Sequence, residues 1–239
     1  MVQMKRWNTH DKQGIVITRG EGAYIWNDRG EKFLDLLSGT WCSILGHNNP
    51  RLINQIHSQS SKIIHVGAMF DCEEVPEAYV KLQEIMPKKL NRVVFLNTGS
   101  EAVELALKMA HAATMKEGVI VCEKGYYGAT TYSFSISAVG QATDYLPEVK
   151  NLYRFPAPHC KKCPVGKTWP CDNFLCLDTM REEIKKGDNI SAIIYEPIMG
   201  ANLIALPSGF GKELRRLADE LGAILIAEEV TTGIGRTGK

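Results

Sequence analysis

From Arg92 onward the chain alternates short apolar runs with longer stretches whose apolar positions recur at helical spacing, and this alternation limits the fold more than any other feature. The runs are 93–96 (VVFL), 119–122 (VIVC), 192–195 (AIIY) and 224–227 (ILIA). Helices are predicted from Ser100 to about Glu117, from Leu177 to Lys186 and from Gly211 to Leu221. A continuous apolar run has no polar face to give to water, so such strands are covered on both sides. That predicts the α/β class, with a mostly parallel sheet sandwiched by helices. In open sheets of this kind functional groups gather beyond the carboxyl ends of the strands, here 97–101, 123–128, 196–200 and 228–232.

The first third of the chain reads differently. Short apolar runs within 14–37 are punctuated by Arg19-Gly20-Glu21-Gly22 and Asn27-Asp28-Arg29-Gly30, the pattern of a small antiparallel meander. Two segments, 51–60 and 74–85, carry helical periodicity. The expected division is a small N-terminal α+β part over 1–50 and a larger domain over 51–239. With 28 Lys+Arg against 27 Asp+Glu and a net charge of +1, the chain lacks the basic excess that binds nucleic acid. No apolar run approaches the ~18–20 residues of a membrane span, and the first ten residues (MVQMKRWNTH) lack the apolar core of a signal peptide. Seven cysteines in a 239-residue chain, large enough to build its own core, read as thiols in a reducing compartment. The cytoplasm is therefore expected, with neither nucleic acid nor membrane as partner.

Three segments could carry chemistry. In Leu96-Asn97-Thr98-Gly99-Ser100-Glu101, Thr98 and Glu101 have the spacing of a capping box, and the helix they open offers backbone N–H groups and a favourable dipole to an anion such as phosphate. In Gly125-Tyr126-Tyr127-Gly128, two aromatics follow a strand and could stack on a flat ring or pack on a helix. In Glu228-Glu229-Val230-Thr231-Thr232, carboxylates follow a buried strand and call for a cationic or hydrogen-bonding partner, which a protonated ring nitrogen could be. The nearby GIGRTG at 233–238 fits the dinucleotide pattern in letters only, since it neither follows its strand directly nor opens a helix. A phosphate cradle, an aromatic and a carboxylate are together what a protein supplies to pyridoxal 5'-phosphate.

Five segments, in order, resemble the class III (omega-amino acid type) aminotransferases of fold type I: SGTWCSILGHNNP at 38–50, LNTGSEAVELALKMA at 96–110, GYYGAT at 125–130, YEPIMG at 195–200 and AEEVTTGIGRTGK at 227–239. The resemblance implies that Thr98, Gly99 and Ser100 hold the cofactor phosphate and that Tyr126 and Val230 cover the two faces of its ring. It gives Glu228 the ring nitrogen, as the catalytic carboxylate, and Thr231 the neighbourhood of the ring hydroxyl. Trp41 and Glu196 fall on the substrate side. The implied reaction moves an amino group from an amine or omega-amino acid, 4-aminobutyrate-like, to a 2-oxo acid in a cytoplasmic homodimer. A decarboxylase or racemase of the same fold is the alternative, and a non-catalytic truncated paralogue a further one.

The sequence departs from the family at four places: Glu228 replaces the usual Asp, Thr231 the usual Gln, Tyr127 the usual His, and Asn49 the second His of GH-x-HP. Glutamate adds one methylene, roughly 1.5 Å of reach, so either the cofactor shifts or the side chain folds back. The family's cofactor-bonding lysine lies some thirty residues beyond the carboxylate, whereas this sequence runs eleven further (239 − 228 = 11). The expectation is thus an N-terminal portion of the enzyme, inactive in transamination by itself. Finally, 156–176 contains Cys160, Cys163, Cys171 and Cys176 beside His159. It holds one C-x-x-C where structural zinc sites show two close pairs, so packing thiols are expected and no metal.

Overall fold

A computed structural model describes residues 14–67, 69–138, 149–164, 166, 171, 174–184 and 189–238. The N-terminal decapeptide, Lys239 and 167–170 of the cysteine-rich segment lie outside the described residues. Contacts divide the chain into two compact units, Met1–Val93 and Val94–Lys239. The boundary at residue 50 expected from sequence lies inside the first of these.

The first unit carries the antiparallel meander, β1 (Ile17–Glu21), β2 (Tyr24–Asn27) and β3 (Lys32–Leu34), in that spatial order. Asn27 closes the β2–β3 turn, its Oδ1 accepting the N–H groups of Arg29 and Glu31 at 3.0 and 2.9 Å. Helix α1 (Pro50–Lys62) starts at Asn49, whose side chain accepts from the N–H groups of Arg51 and Leu52, with Pro50 in the first turn where its missing N–H costs nothing. Helix α2 (Glu74–Ile85) follows. Between β3 and α1, Ser38, Gly39, Thr40 and Trp41 are all left-handed, with φ of 53°, 60°, 57° and 66°. Left-handed helical backbone costs an L-residue about 1–2 kcal/mol, so Ser38, Thr40 and Trp41 within one four-residue turn need strong local support.

In the second unit a four-stranded parallel sheet has the order β5-β4-β6-β9. Its strands are β4 (Gly118–Cys122), β5 (Leu152–Phe155), β6 (Ile190–Tyr195) and β9 (Ile224–Ala227). A small antiparallel hairpin, β7 (Ile198–Met199) and β8 (Ile204–Ala205), stands apart. The helices are α3 (Gly99–Thr114), α4 (Thr131–Ile136), α5 (Leu175–Ile184) and α6 (Phe210–Leu221). Strand β4 shows why this is a sandwich. Ile120 and Cys122 join one core with Leu177, Met180, Phe210, Leu214 and Leu217, while Val119 and Val121 join another with Val103, Leu107, Ala110 and Ile136. Alternate side chains therefore meet α5 and α6 on one face and α3 and α4 on the other. Burying each large apolar side chain of α6 contributes about 1.5–3 kcal/mol.

One expected strand is absent. Residues 93–96 join none of the three sheets, and Val93, Val94, Phe95 and Leu96 are exposed at 38, 58, 50 and 42%. An apolar β-branched run becomes a strand only where a ladder neighbour accepts it, and among the described residues none flanks this segment. Conversely α4 and β5 form where no periodicity announces them. Among the described residues no helix is long and apolar enough to cross a membrane.

Candidate active site

Parallel pairing aligns the strand ends. Tyr195 is the register partner of Ala227, so Glu196 and Glu228, each the next residue, emerge side by side, and the Glu228 N–H donates to the Tyr195 carbonyl at 2.8 Å. The chain leaves β4 for β5 on one side and returns to β6 on the other, which makes the β4 carboxyl end a switch point with a crevice. The residues singled out in the second unit surround that edge.

Helix α3 supplies an anion cradle. The capping box is present: Thr98 Oγ1 accepts the Glu101 N–H at 3.1 Å, while Glu101 Oε2 accepts the N–H groups of Asn97 and Thr98 at 2.9 and 3.0 Å. The amides of Gly99 and Ser100 lie outside this exchange, at the positive end of the helix dipole. Gly99 is confined by contact, since a Cβ there would stand 2.8 Å from both methyls of Val230. The turn after β9 is thus seated against the start of α3. The Ser100 hydroxyl in turn accepts the Ala129 N–H at 2.9 Å and binds the turn after β4 to the same helix end. Gly128, at φ 137°, leaves no room for a side chain, as a Cβ would stand 2.7 Å from Ser100 Oγ.

Tyr126 and Tyr127 divide two tasks. Tyr126 is 39% exposed and its N–H donates to Glu196 Oε1 at 2.7 Å. Tyr127 is buried beneath it. The Tyr127 hydroxyl accepts the Cys122 N–H at 3.0 Å and lies 3.4 Å from the Ile194 carbonyl, and its own N–H donates to Ser137 Oγ at 2.8 Å. A tyrosine here reaches backbone on both β4 and β6, which gives the departure from His a structural reason. Burial holds its hydroxyl firmly protonated.

The two carboxylates are buried, Glu196 at 3% and Glu228 at 6% exposure. Glu196 accepts N–H groups from Tyr126 and, at 3.2 Å, Gly200. Burial nevertheless raises its pKa above the usual carboxylate range. Glu228 has one backbone partner, the Val230 N–H at 3.1 Å to Oε1. Its side chain therefore folds back, which accommodates the extra methylene relative to Asp. Burial first, and the Glu196 charge second, push its pKa to about 7. No ion pair to either carboxylate occurs among the described residues. Glu228 is thus a buried acid that lacks a cation. Beside it the hydroxyls of Thr231 and Thr232 are buried without a hydrogen-bond partner. Thr232, named within the segment 228–232, escapes assignment of a role in the sequence reading, although its place directly after Thr231 is a signal. So does Glu104 of α3, whose Oε1 accepts Thr130 Oγ1 and the N–H groups of Tyr132 and Ser133 at 2.6, 3.2 and 3.1 Å, capping α4 from a distance.

Of the residues singled out, Thr98, Gly99, Ser100, Tyr126, Glu196, Glu228, Val230 and Thr231 all belong to the second unit, and Trp41 belongs to the first, where it ends the left-handed turn. In the cysteine segment, Cys160, Cys163 and Cys176 are free thiols, and burial raises Cys176 to about 11. Among the described residues no three His, Cys, Asp or Glu side chains are arranged to hold a metal ion.

The sequence profile of the family Aminotransferase class-III matches residues 6–239. The acetylornithine aminotransferase of Methanopyrus kandleri is 32% identical over 240 residues, covering 100% of this chain and 57% of that protein. The leucine/methionine racemase of Thermococcus litoralis is 29% identical over 231 residues, covering 94% and 52%. Among solved structures, the taurine:2-oxoglutarate aminotransferase of Bifidobacterium kashiwanohense, in complex with PLP and glutamate, superposes with a TM-score of 0.88 at 27% identity, over 99% of this chain and 55% of that one. The chain spans about half the length of the curated relatives it matches.

Proposed function

Because this chain belongs to the class III aminotransferases, enzymes that use pyridoxal 5'-phosphate, we propose that its second unit binds that cofactor in a protein that moves an amino group from an amine or omega-amino acid, of 4-aminobutyrate type, to a 2-oxo acid. The observation that carries this reading is Glu228: a buried carboxyl with a pKa near 7, without a cation, beside a helix start with two uncommitted amides. A cationic ring nitrogen and a phosphate are the two charges such a site lacks. The unpartnered hydroxyls of Thr231 and Thr232 also suit a polar ligand.

When bound, pyridoxal phosphate supplies an electron sink for the pair of electrons released at the substrate carbon. The protein's part is to hold and orient. Thr98, Gly99 and Ser100 would take the phosphate through the threonine hydroxyl and the two amides. Tyr126 and Val230 would cover the ring. Glu228 would help keep the ring nitrogen protonated by accepting its N–H, and Thr231 would offer a hydroxyl to the cofactor. By the resemblance, Trp41 and Glu196 touch the amine donor. The whole enzyme is read as a homodimer, in keeping with the many apolar side chains exposed in the first unit, and the free thiols suit the cytoplasm.

The test is product analysis of the whole enzyme, Schiff-base lysine included, with pyridoxal phosphate, 4-aminobutyrate and 2-oxoglutarate. Glutamate is the expected product. Carbon dioxide release, or loss of optical activity from an amino acid without amino transfer, overturns it in favour of a decarboxylase or of the racemase reading, which the relative from Thermococcus litoralis supports. Glu228→Asp is expected to keep cofactor affinity and Glu228→Gln to lower it by about tenfold or more, read by fluorescence quenching on titration.

A further inference from the structure

The left-handed turn at Ser38–Trp41 is the most strained stretch of the first unit, and a clamp holds it. Asp35 stands at one end of the loop and His47 at the other. The His47 Nε2 lies 2.7 Å from Asp35 Oδ2, and the Asp35 side chain is only 9% exposed. The other carboxylate oxygen accepts the N–H groups of Leu37 and Ser38 at 3.0 and 2.9 Å, at the entry to the turn. Both ends are fastened to the meander: the Asp35 N–H donates to Ala23, and His47 exchanges backbone bonds with Gly22 at 2.8 and 2.9 Å. Within the loop the Trp41 N–H donates to Leu37, the Ser43 N–H to Ser38, and the Ser38 hydroxyl to the Ser43 carbonyl. The His47 hydrogen bond also holds the Asp35 carboxyl below its usual pKa.

Four successive residues at positive φ, three of them non-glycine, persist only when their surroundings over-determine them. The fastenings at the base of the turn converge on Asp35, His47 and the Ser38–Ser43 pair, and Trp41, whose N–H donates to Leu37, ends the strained run. We infer that Asp35 and His47 are positioning residues: their pair holds the left-handed turn that presents Trp41, and through Trp41 it sets preference among amine donors. This rests on the reading of Trp41 as a donor contact.

The clamp is tested without turnover. The near-ultraviolet circular dichroism of the protein minus that of Trp41→Phe isolates the Trp41 band. Asp35→Ala is expected to lose that band, and Asp35→Asn, which keeps the acceptor for Leu37 and Ser38, to retain most of it. If Asp35→Ala does not fold, His47→Phe fills the same space without the hydrogen bond and is read in the same way. A Trp41 band that survives removal of the pair overturns the clamp. In the holoenzyme with 4-aminobutyrate and 2-oxoglutarate, loss of the pair raises the KM for the amine by about tenfold and leaves the KM for the oxo acid unchanged within about twofold. The double variant with Trp41→Ala is no worse for the donor than Trp41→Ala alone. An equal rise in both KM values, or additive losses, overturns the positioning role. If Trp41→Ala itself leaves the donor KM unmoved, the donor reading of Trp41 fails while the spectroscopic result still decides the clamp.

Discussion

The two units are stabilised in different ways. Every buried apolar residue lies at Val103 or beyond, whereas before Val94 the sole fully buried residue among those described is Asn27, a polar one. Helices α1 and α2 bury nothing, yet α1 is well capped. The first unit is thus held by local hydrogen bonds: the Asn27 turn, the Asn49 cap and the Asp35–His47 clamp. The second is held by two apolar layers on a parallel sheet. Local bonding can define a backbone without burial, but it leaves apolar side chains of the first unit exposed.

The sharpest way to break this contrast is to cut matching side chains from both units. Phe210 is fully buried and meets Phe155 and Phe174 with ring centroids 5.9 and 5.4 Å away. Phe210→Ala is expected to cost about 3–5 kcal/mol in denaturant unfolding of the second unit. Ile56→Ala, at 52% exposure in α1, is expected to stay within about 0.5 kcal/mol. Comparable losses at the two positions would mean that the first unit has a core after all.

Next in size is the buried acid. With its folded pKa raised to about 7 from an ordinary value of 4.5, Glu228 binds its proton more tightly in the folded state. Its contribution is therefore fully present below pH 4.5 and lost as pH rises through 7, and the cofactor-free protein loses stability across that window. Glu228→Gln keeps an oxygen for the Val230 N–H and removes the charge. It is expected to stabilise the cofactor-free protein at pH 8 by roughly 2–3 kcal/mol and to have little effect below pH 4.5. Asp35 of the first unit shifts the other way, so its contribution is present above its usual pKa and lost as pH falls. A variant that destabilises at pH 8 would show that Glu228 already has a cation.

Tyr127 comes third. Tyr127→Phe keeps the ring in place and leaves the Cys122 N–H buried without its partner, at a cost of about 1–3 kcal/mol. Because Tyr127 also fixes the turn that carries Tyr126, cofactor affinity should fall with it. A change in stability alone would confine Tyr127 to packing.

How far the sequence could be read follows the same division. Strands β4 and β6 and helices α3, α5 and α6 were legible because each carries its burial pattern within itself, β9 by its apolar run although none of its residues is buried, and the meander because its turn residues lie in place. The capping box of Thr98 and Glu101 was equally local. Helix α4 was not legible, since its start is capped by Glu104 and its end by Arg154, whose guanidinium donates to the Ile136 carbonyl at 3.0 Å. Those partners sit on α3 and β5. The edge strand β5 hides for a related reason, because Arg154 interrupts its apolar run for the sake of that helix end. Residues 93–96 mislead in the opposite sense: strand chemistry without a ladder neighbour. At the site, motifs placed the residues, but the register of β6 against β9 set Glu196 beside Glu228, and no local pattern encodes a register.

The smallest expected effect is the most discriminating. Asn49 caps α1 and Thr98 caps α3, each by a side-chain oxygen that accepts first-turn N–H groups, so each replacement by Ala removes about 1 kcal/mol of local helix stability. The consequences should differ. In α3, with Val103, Leu107 and Ala110 buried, the core holds the helix and the loss appears as a modest drop in global stability. In α1, where no residue is buried, the cap is a large share of what holds the helix, so Asn49→Ala should release amide hydrogens over Pro50–Lys62 while the second unit's unfolding midpoint stays put. Hydrogen exchange by peptide resolves the two. Unchanged protection of α1 in Asn49→Ala would show that something other than its own hydrogen bonds already holds the first unit together.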